Sequence, residues 1–296
     1  MNKRQWLEIS LTLPATLQEE AGIFLTAWSG RGIVLEDAEV SQGQAMAAVR
    51  AYVLAEEWSQ AQRRELLDYL DNLVRLGYRV GEVQQRLLAE EDWEKAWQVH
   101  FKAKRLTDRF VVKPPWEEYT PQSGELVLTI YPGMAFGTGR HPSTWLCLRA
   151  LEELAQEWSP ATTPLVLDVG TGTGILGLAA ARLGATVLAI DIDPEAVAAA
   201  RQNIMLNRLQ DRVRVEDVPL TSLRQQFDLI LANLTAADLR GLAESLAGRL
   251  LPGGHLIISG FLQGDLEALQ DIFQRQGLTP RQTQHQETWT MLLLQR

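Results

Sequence analysis

Chemistry concentrates in one short run: Val166-Leu167-Asp168-Val169-Gly170-Thr171-Gly172-Thr173-Gly174-Ile175-Leu176-Gly177. An apolar strand pattern runs into a glycine-rich turn that opens a helix. Glycine admits positive φ and lets backbone approach a ligand closely. In open α/β sheets, ligands bind beyond the carboxyl ends of the strands. The string Gly172-x-Gly174-x-x-Gly177 matches the dinucleotide fingerprint, which is weak when it stands alone. No Gly-Lys-Ser/Thr follows, so this is not a Walker A loop. A packing turn with no ligand fits the same string.

Three carboxylates and an amide narrow the choice. Asp168, just ahead of the loop, would repel a pyrophosphate but suits the ammonium of an amino-acid moiety, directly or through water. The form D-x-G-x-G-x-G is typical of S-adenosylmethionine sites. A second strand ends in Val187-Leu188-Ala189-Ile190-Asp191-Ile192-Asp193-Pro194, with Asp191 placed 21 residues after Gly170. A strand-end carboxylate there can accept bonds from both ribose hydroxyls, which leaves NAD open as well. Asp193 reads as the N-cap of a helix with Pro194 at its first position. A third strand, Phe227 to Ala232, ends at Asn233. Aminomethylating enzymes carry an Asn or Asp there, in an N-P-P-Y-like turn. Its amide carbonyl can accept a hydrogen bond from an amine and aim the nitrogen lone pair. Here Leu234-Thr235-Ala236 replaces the Pro-Pro-aromatic part, which disfavours a stacked planar base. An asparagine that merely caps a turn would look the same.

These stations need a scaffold. From about Lys104 to Arg296, short apolar runs alternate with helix patterns: Leu165–Leu167, Thr186–Ile190, Val213–Val215, Leu229–Ala232 and His255–Ser259, with helices over Ile175–Leu183 and Pro194–Leu206 between them. Strand–helix alternation predicts a doubly wound α/β domain with a mainly parallel sheet, closed by a strand over Thr288–Leu294. The amino-terminal third differs. Trp6–Leu13 alternates like a half-buried strand, and Gln18–Trp28 has helical spacing closed by Gly30. Ile33–Glu39 and Gln44–Leu54 read as strands around a Ser41-Gln42-Gly43 turn. Ser59–Leu76 is an amphipathic helix with Leu66, Leu67, Leu70, Leu73 and Val74 on one face, ended by Gly77. Tyr78–Leu88 supplies a fourth strand. The order βαββαβ predicts an α+β ferredoxin-like domain over residues 1–88. A charged segment, Glu90-Glu91-Asp92-Trp93-Glu94-Lys95-Ala96-Trp97, reads as a linker helix within 89–103, ahead of a 104–296 domain.

Composition sets limits. The chain has 296 residues, 46% hydrophobic and 22% charged, which excludes a disordered chain. Its net charge, 28 − 37 = −9, argues against a nucleic-acid-coating protein. One cysteine, Cys147, allows no intrachain disulfide and fits a cytoplasmic location. Four scattered histidines make a metal cluster unexpected, and no apolar run is long enough for a membrane helix.

Upstream of the glycine loop lies Gly133-Met134-Ala135-Phe136-Gly137-Thr138-Gly139-Arg140-His141-Pro142-Ser143-Thr144, a loop leading into a helix. With Asp92-Trp93-x-x-x-Trp97, Pro115-Trp116-Glu117, Asp168–Gly174 and Asn233–Ala236, the chain resembles the ribosomal protein L11 methyltransferase family from about Trp6 to its end. The Gly133–Thr144 segment is the specific part, and Ser143, where Thr is common, is a conservative departure. The resemblance implies a class I methyltransferase domain with a Rossmann-like sheet behind a substrate-recognising ferredoxin-like domain. It implies S-adenosyl-L-methionine as cofactor. It implies trimethylation of amino groups, at the N-terminal α-amine and lysine ε-amines of ribosomal protein L11. It carries cofactor binding to Thr144, Gly170, Asp191 and Asn233, and Gly172 joins them from the loop. Asn233 is also the candidate for orienting the amine, and the loop around Phe136 for covering the methionine end. His141 fits a loop-stabilising role better than a base. Alternatives on the same fold are an RNA or DNA amino-methyltransferase, a non-catalytic nucleoside-binding assembly protein and, least favoured, an NAD-dependent oxidoreductase.

The charge then gains a use. Residues 1–102 carry 11 bases and 16 acids, net −5, and residues 103–296 carry 17 and 21, net −4. A third of the chain holds over half the excess, and a basic ribosomal protein would be steered toward it. Salt screens such steering. Steady-state kinetics at graded ionic strength should therefore show KM rising more for the protein substrate than for the cofactor, and equal rises would count against the steering.

Overall fold

The computed structural model describes residues 5–29, 33–35, 39–41, 44–89, 98, 101–132, 139, 141–159 and 161–296. The expected linker helix at Glu90–Trp97, the Gly30 stop, most of the Ser41–Gly43 turn and the Gly133–Thr138 stretch lie outside them. The chain divides into two compact units, Met1–Phe101 and Lys102–Arg296.

The first unit follows the order β1 (Gln5–Pro14), α1 (Gln18–Ser29), β2 (Ile33–Leu35), β3 (Glu39–Ser41), β4 (Gln44–Leu54), α2 (Gln60–Arg75) and β5 (Gln84–Ala89). Its sheet runs β2-β4-β1-β5 with antiparallel pairing, and β3 folds back on β4. This is the ferredoxin-like arrangement. Leu7, Ile9, Leu11 and Leu13 share one side of β1 and pack with Leu25, Leu66, Leu70 and Leu73. Trp6, Glu8 and Ser10 point to the other side and are buried as well, so β1 is buried on both sides over Trp6–Leu11 rather than half buried. There Glu8 accepts from Tyr52 Oη at 3.0 Å and Arg50 Nη1 at 3.1 Å, which compensates its burial. The Ser59 hydroxyl caps α2 by accepting from the Gln62 N–H, and the Gln62 side chain bonds back to the Ser59 N–H. Further expectations change, and the expected Ile33–Glu39 strand is replaced by the short β2 and β3. The apolar face of α2 is narrower, because Leu67 and Val74 are exposed while Leu66, Leu70 and Leu73 are buried. The last strand starts only at Gln84, and ahead of it the Gly81 N–H bonds the Thr12 carbonyl of β1 at 2.7 Å.

The second unit opens with a three-stranded sheet, β6 (Lys104–Arg105), β7 (Phe110–Lys113) and β8 (Leu126–Thr129), which the sequence pattern did not announce. Then come α3 (Pro142–Leu154), β9 (Leu165–Val169), α4 (Ile175–Arg182), β10 (Thr186–Asp191), α5 (Pro194–Asn207), β11 (Val213–Asp217), β12 (Phe227–Asn233), α6 (Ala236–Gly248), β13 (Leu250–Leu262), α7 (Leu266–Arg275), β14 (Thr279–Gln286) and β15 (Trp289–Gln295). The sheet order is β11-β10-β9-β12-β13-β15-β14. Pairing is parallel as far as β13 and antiparallel for the last two strands. This is the expected class I methyltransferase architecture. Both faces are buried, as a sheet sandwiched by helices requires. In β12, Leu229 and Leu231 join one core while Ile230 and Ala232 join the other. The strand order reverses between β9 and β12, which creates the crevice where such sheets bind ligands. Gly170 follows one of these strands and Asn233 ends the other. Among the described residues, no helix is long and apolar enough to cross a membrane.

Candidate active site

The glycine loop is shaped by bonds from both sides. Gly170, Gly172 and Gly174 have φ of 67°, 54° and 82°, where a side chain would be strained. The N–H groups of Gly170 and Thr171 both donate to the Ile190 carbonyl, at 2.9 and 3.1 Å. The Gly174 N–H closes the turn on the Thr171 carbonyl at 2.8 Å. A Cβ on Gly177 would stand 3.2 Å from Asp168 Oδ2 and 3.3 Å from Val187 Cγ1, so its absence lets α4 sit close on the strands.

Asp168 is 1% exposed. Its Oδ2 accepts from Thr171 Oγ1 at 2.6 Å and from the Gly177 N–H at 3.0 Å. Burial pushes its pKa up to about 6 against the pull of those two bonds, and the charge of Asp191 adds to the rise. The carboxylate thus braces the loop from below, rather than standing open to meet an ammonium directly. Cys147 is also fully buried; burial first, then the Asp168 charge, raises its thiol pKa and leaves it no nucleophile.

Asp191 holds the other side. Its Oδ2 accepts from the Gly172 N–H at 3.0 Å and its Oδ1 from the Asp193 N–H at 3.1 Å. A carboxylate offers about four acceptor directions, so capacity remains for hydroxyl donors. Asp193 caps α5 through the Glu195 N–H, with Pro194 at the first position, as its spacing predicts.

Across the crevice, Asn233 ends β12. Its Nδ2 donates to Thr144 Oγ1 at 3.4 Å, while its Oδ1 is buried without a hydrogen-bond partner among the described residues. Turn capping is not its job: Thr235 caps α6 by accepting from the Asp238 N–H at 3.2 Å. Thr144 is fully buried in the first turn of α3. His141 caps that helix, its Nδ1 accepting from the Ser143 N–H at 3.2 Å, and its ring meets Trp289 edge-on at 4.5 Å. Burial lowers its pKa to about 4. The structure therefore brings Thr144 to Asn233, and Gly170 and Gly172 to the end of β10 and Asp191.

Two residues here escaped the sequence reading. Gly260 has φ of 87°, and a Cβ on it would lie 2.5 Å from the Leu234 carbonyl oxygen and 2.9 Å from Asn233 Oδ1. A glycine ending an apolar strand was the available signal. Asn203 donates to the Thr173 carbonyl at 2.8 Å, and a polar residue on the buried side of α5 was its signal.

Similarity to known proteins extends over nearly the whole chain. The family model for ribosomal protein L11 methyltransferase matches residues 5–296. A ribosomal protein L11 methyltransferase of Pelobacter propionicus is 39% identical over 99% of this chain and 98% of its own. One of Symbiobacterium thermophilum is 42% identical over 79% of this chain and 76% of its own. The crystal structure of a ribosomal protein L11 methylase from Lactobacillus delbrueckii subsp. bulgaricus, 30% identical, matches with a TM-score of 0.61 over 66% of this chain and 99% of that one.

Two stability measurements check the site's construction. At Gly170 a Cβ would lie 2.4 Å from Leu234 Cδ2, on top of the positive φ. Gly170→Ala should cost about 2–4 kcal/mol in thermal unfolding. Gly184→Ala, with φ of 107° but open space, should cost only the conformational part. The second concerns pH. His141 has a folded pKa of about 4 against 6.5 unfolded, so the unfolded chain takes up a proton that the folded one refuses. Its contribution is complete above pH 6.5 and is lost as pH falls toward 4, up to about 3 kcal/mol. His141→Asn keeps a capping side chain and should flatten melting temperature across that window, relative to the parent.

Proposed function

The chain belongs to the ribosomal protein L11 methyltransferase family, and we propose that it transfers methyl groups from S-adenosyl-L-methionine to amino groups of ribosomal protein L11. The acceptors in this reading are the N-terminal α-amine and lysine ε-amines. The observation that carries it is the unpartnered, buried Oδ1 of Asn233 at the switch-point crevice. A buried acceptor without a donor is costly, and an amine N–H arriving from a substrate would satisfy it.

The residues present fit the cofactor. Gly170 and Gly172 carry no side chain of their own, with Leu234 packed against Gly170, and Asp191 keeps acceptor capacity for ribose hydroxyls. Thr144 and Asn233 would border the opposite wall. Bound there, S-adenosylmethionine supplies an electrophilic methyl on a sulfonium.

The chain's own work is positioning. The nucleophile must be a neutral amine, and a lysine with pKa ~10.4 is neutral about once in 2,500 molecules at pH 7, roughly 4–5 kcal/mol uphill. Asn233 Oδ1 would accept an N–H and so aim the lone pair at the methyl. Among the described residues no titratable group bonds Asn233, and the His141 Nδ1 is engaged at its cap. The proton then leaves to solvent, and catalysis rests on orientation and electrostatics.

Purified L11 incubated with enzyme and cofactor should gain mass in steps of ~14 Da per methyl group. Proteolytic mapping should place the gains on amines. Asn233→Ala should lower kcat by about a hundredfold. An undiminished kcat in that variant would remove Asn233 from the mechanism, and methyl transfer to naked RNA instead of L11 would overturn the substrate assignment.

A further inference from the structure

The glycine loop has a second support, from the helix beneath it. A Cβ on Gly174 would stand 3.4 Å from Ala200, so α5 passes directly under the loop. Asn203, three residues further along α5, is fully buried and uses both ends of its amide. Nδ2 donates to the Thr173 carbonyl at 2.8 Å, and Oδ1 accepts from the Tyr131 N–H at 2.8 Å. Asn207, on the next turn, is buried too. It accepts from the Thr129 N–H at 2.9 Å and donates to the carbonyls of Thr129 and Asn203 at 2.6 and 2.8 Å. The two asparagines are alike in chemistry and burial but hold different things. Asn207 holds the end of β8, whereas Asn203 holds the chain just past β8 and the glycine loop together.

We propose that Asn203 is a positioning residue for cofactor binding, which sets the Thr173 peptide and with it the Gly172–Gly174 backbone. The proposal rests on the glycine loop being the cofactor cradle. Among the described residues, the other bonds shaping this loop come from the loop itself, from α4 or from the ends of β9 and β10. Among those bonds between described residues, the Asn203 bond is the one that comes from a side chain of the helix below. Without it the Thr173 carbonyl loses a buried donor, which is expensive. The least costly relief is rotation of that peptide toward water. Such a rotation displaces the flanking glycines, whose lack of side chains offers no resistance.

Binding of S-adenosylhomocysteine, which cannot turn over, separates this role from a merely structural one. Calorimetric titration of the full chain should give a Kd about tenfold weaker or more for Asn203→Leu. Asn207→Leu should lower the melting temperature comparably while its Kd stays within about twofold of the parent. If Asn203→Leu fails to fold, Asn203→Ser leaves room for a bridging water and carries the same comparison. Asn203 variants that are folded and bind as tightly as Asn207→Leu would overturn the proposal. A parent chain that binds no S-adenosylhomocysteine would instead overturn the cradle reading on which it stands.

Discussion

The site depends on a carboxylate kept out of water. Asp168 sits buried one residue before the end of its strand, with a pKa raised to about 6 by that burial, so its ionised form carries a standing cost near neutral pH. What it secures is geometry. One oxygen, Oδ2, takes both the Thr171 hydroxyl and the Gly177 N–H, which ties the start of the loop to the first turn of α4. Three glycines at positive φ would otherwise have many conformations to lose. Charge-assisted bonds to one buried acceptor select one of them. His141 and Asp168 also oppose each other in pH: acid weakens the first and relieves the second, because one folded pKa is depressed and the other raised.

From that anchor, the two halves of the crevice are built by different means. On the β9–β10 side, backbone N–H groups are gathered onto strand-end oxygens, those of Ile190 and Asp191. On the β12 side, close approach does the work. Gly260 lets the end of β13 come against Leu234 and Asn233, and the first turn of α3 delivers Thr144 to the asparagine amide. The amide is thereby fixed at one end and bare at the other.

The parts legible in the sequence are those whose partners are close along the chain. The glycine string, the Asp193 cap with Pro194 and the strand ending at Asn233 all announce themselves within a few residues. The parts that escaped depend on distant partners. Asn203 meets Tyr131 across 72 positions, and Asn233 meets Thr144 across 89. β14, Thr-Pro-Arg-Gln-Thr-Gln-His-Gln, has no apolar alternation, yet it forms because β15 offers a paired edge and because Gln282 and Gln284 both bond Glu153 of α3. On α2, Leu67 and Val74 have helical spacing with the core leucines but lie at the margin of the stripe and stay exposed. Periodicity identifies the face of a helix more securely than its width.

The distribution of titratable groups bears on why an amide, not a carboxylate, stands at position 233. Asp168 braces the loop, Asp191 takes the Gly172 and Asp193 N–H groups, Asp193 caps α5 and His141 caps α3. Each of these side chains is committed to backbone that shapes the crevice. A carboxylate at 233 would be another charge in a place where burial and the Asp191 charge already raise the pKa of Asp168. In the proposed reaction it would also pair with an arriving ammonium and stabilise the protonated amine, which cannot attack. An amide oxygen accepts an N–H from the neutral amine without adding a full charge, so its preference for ammonium over amine is smaller. For the amine methylation proposed above, in which a proton must leave a group with pKa ~10.4, a neutral acceptor leaves the smaller barrier to deprotonation.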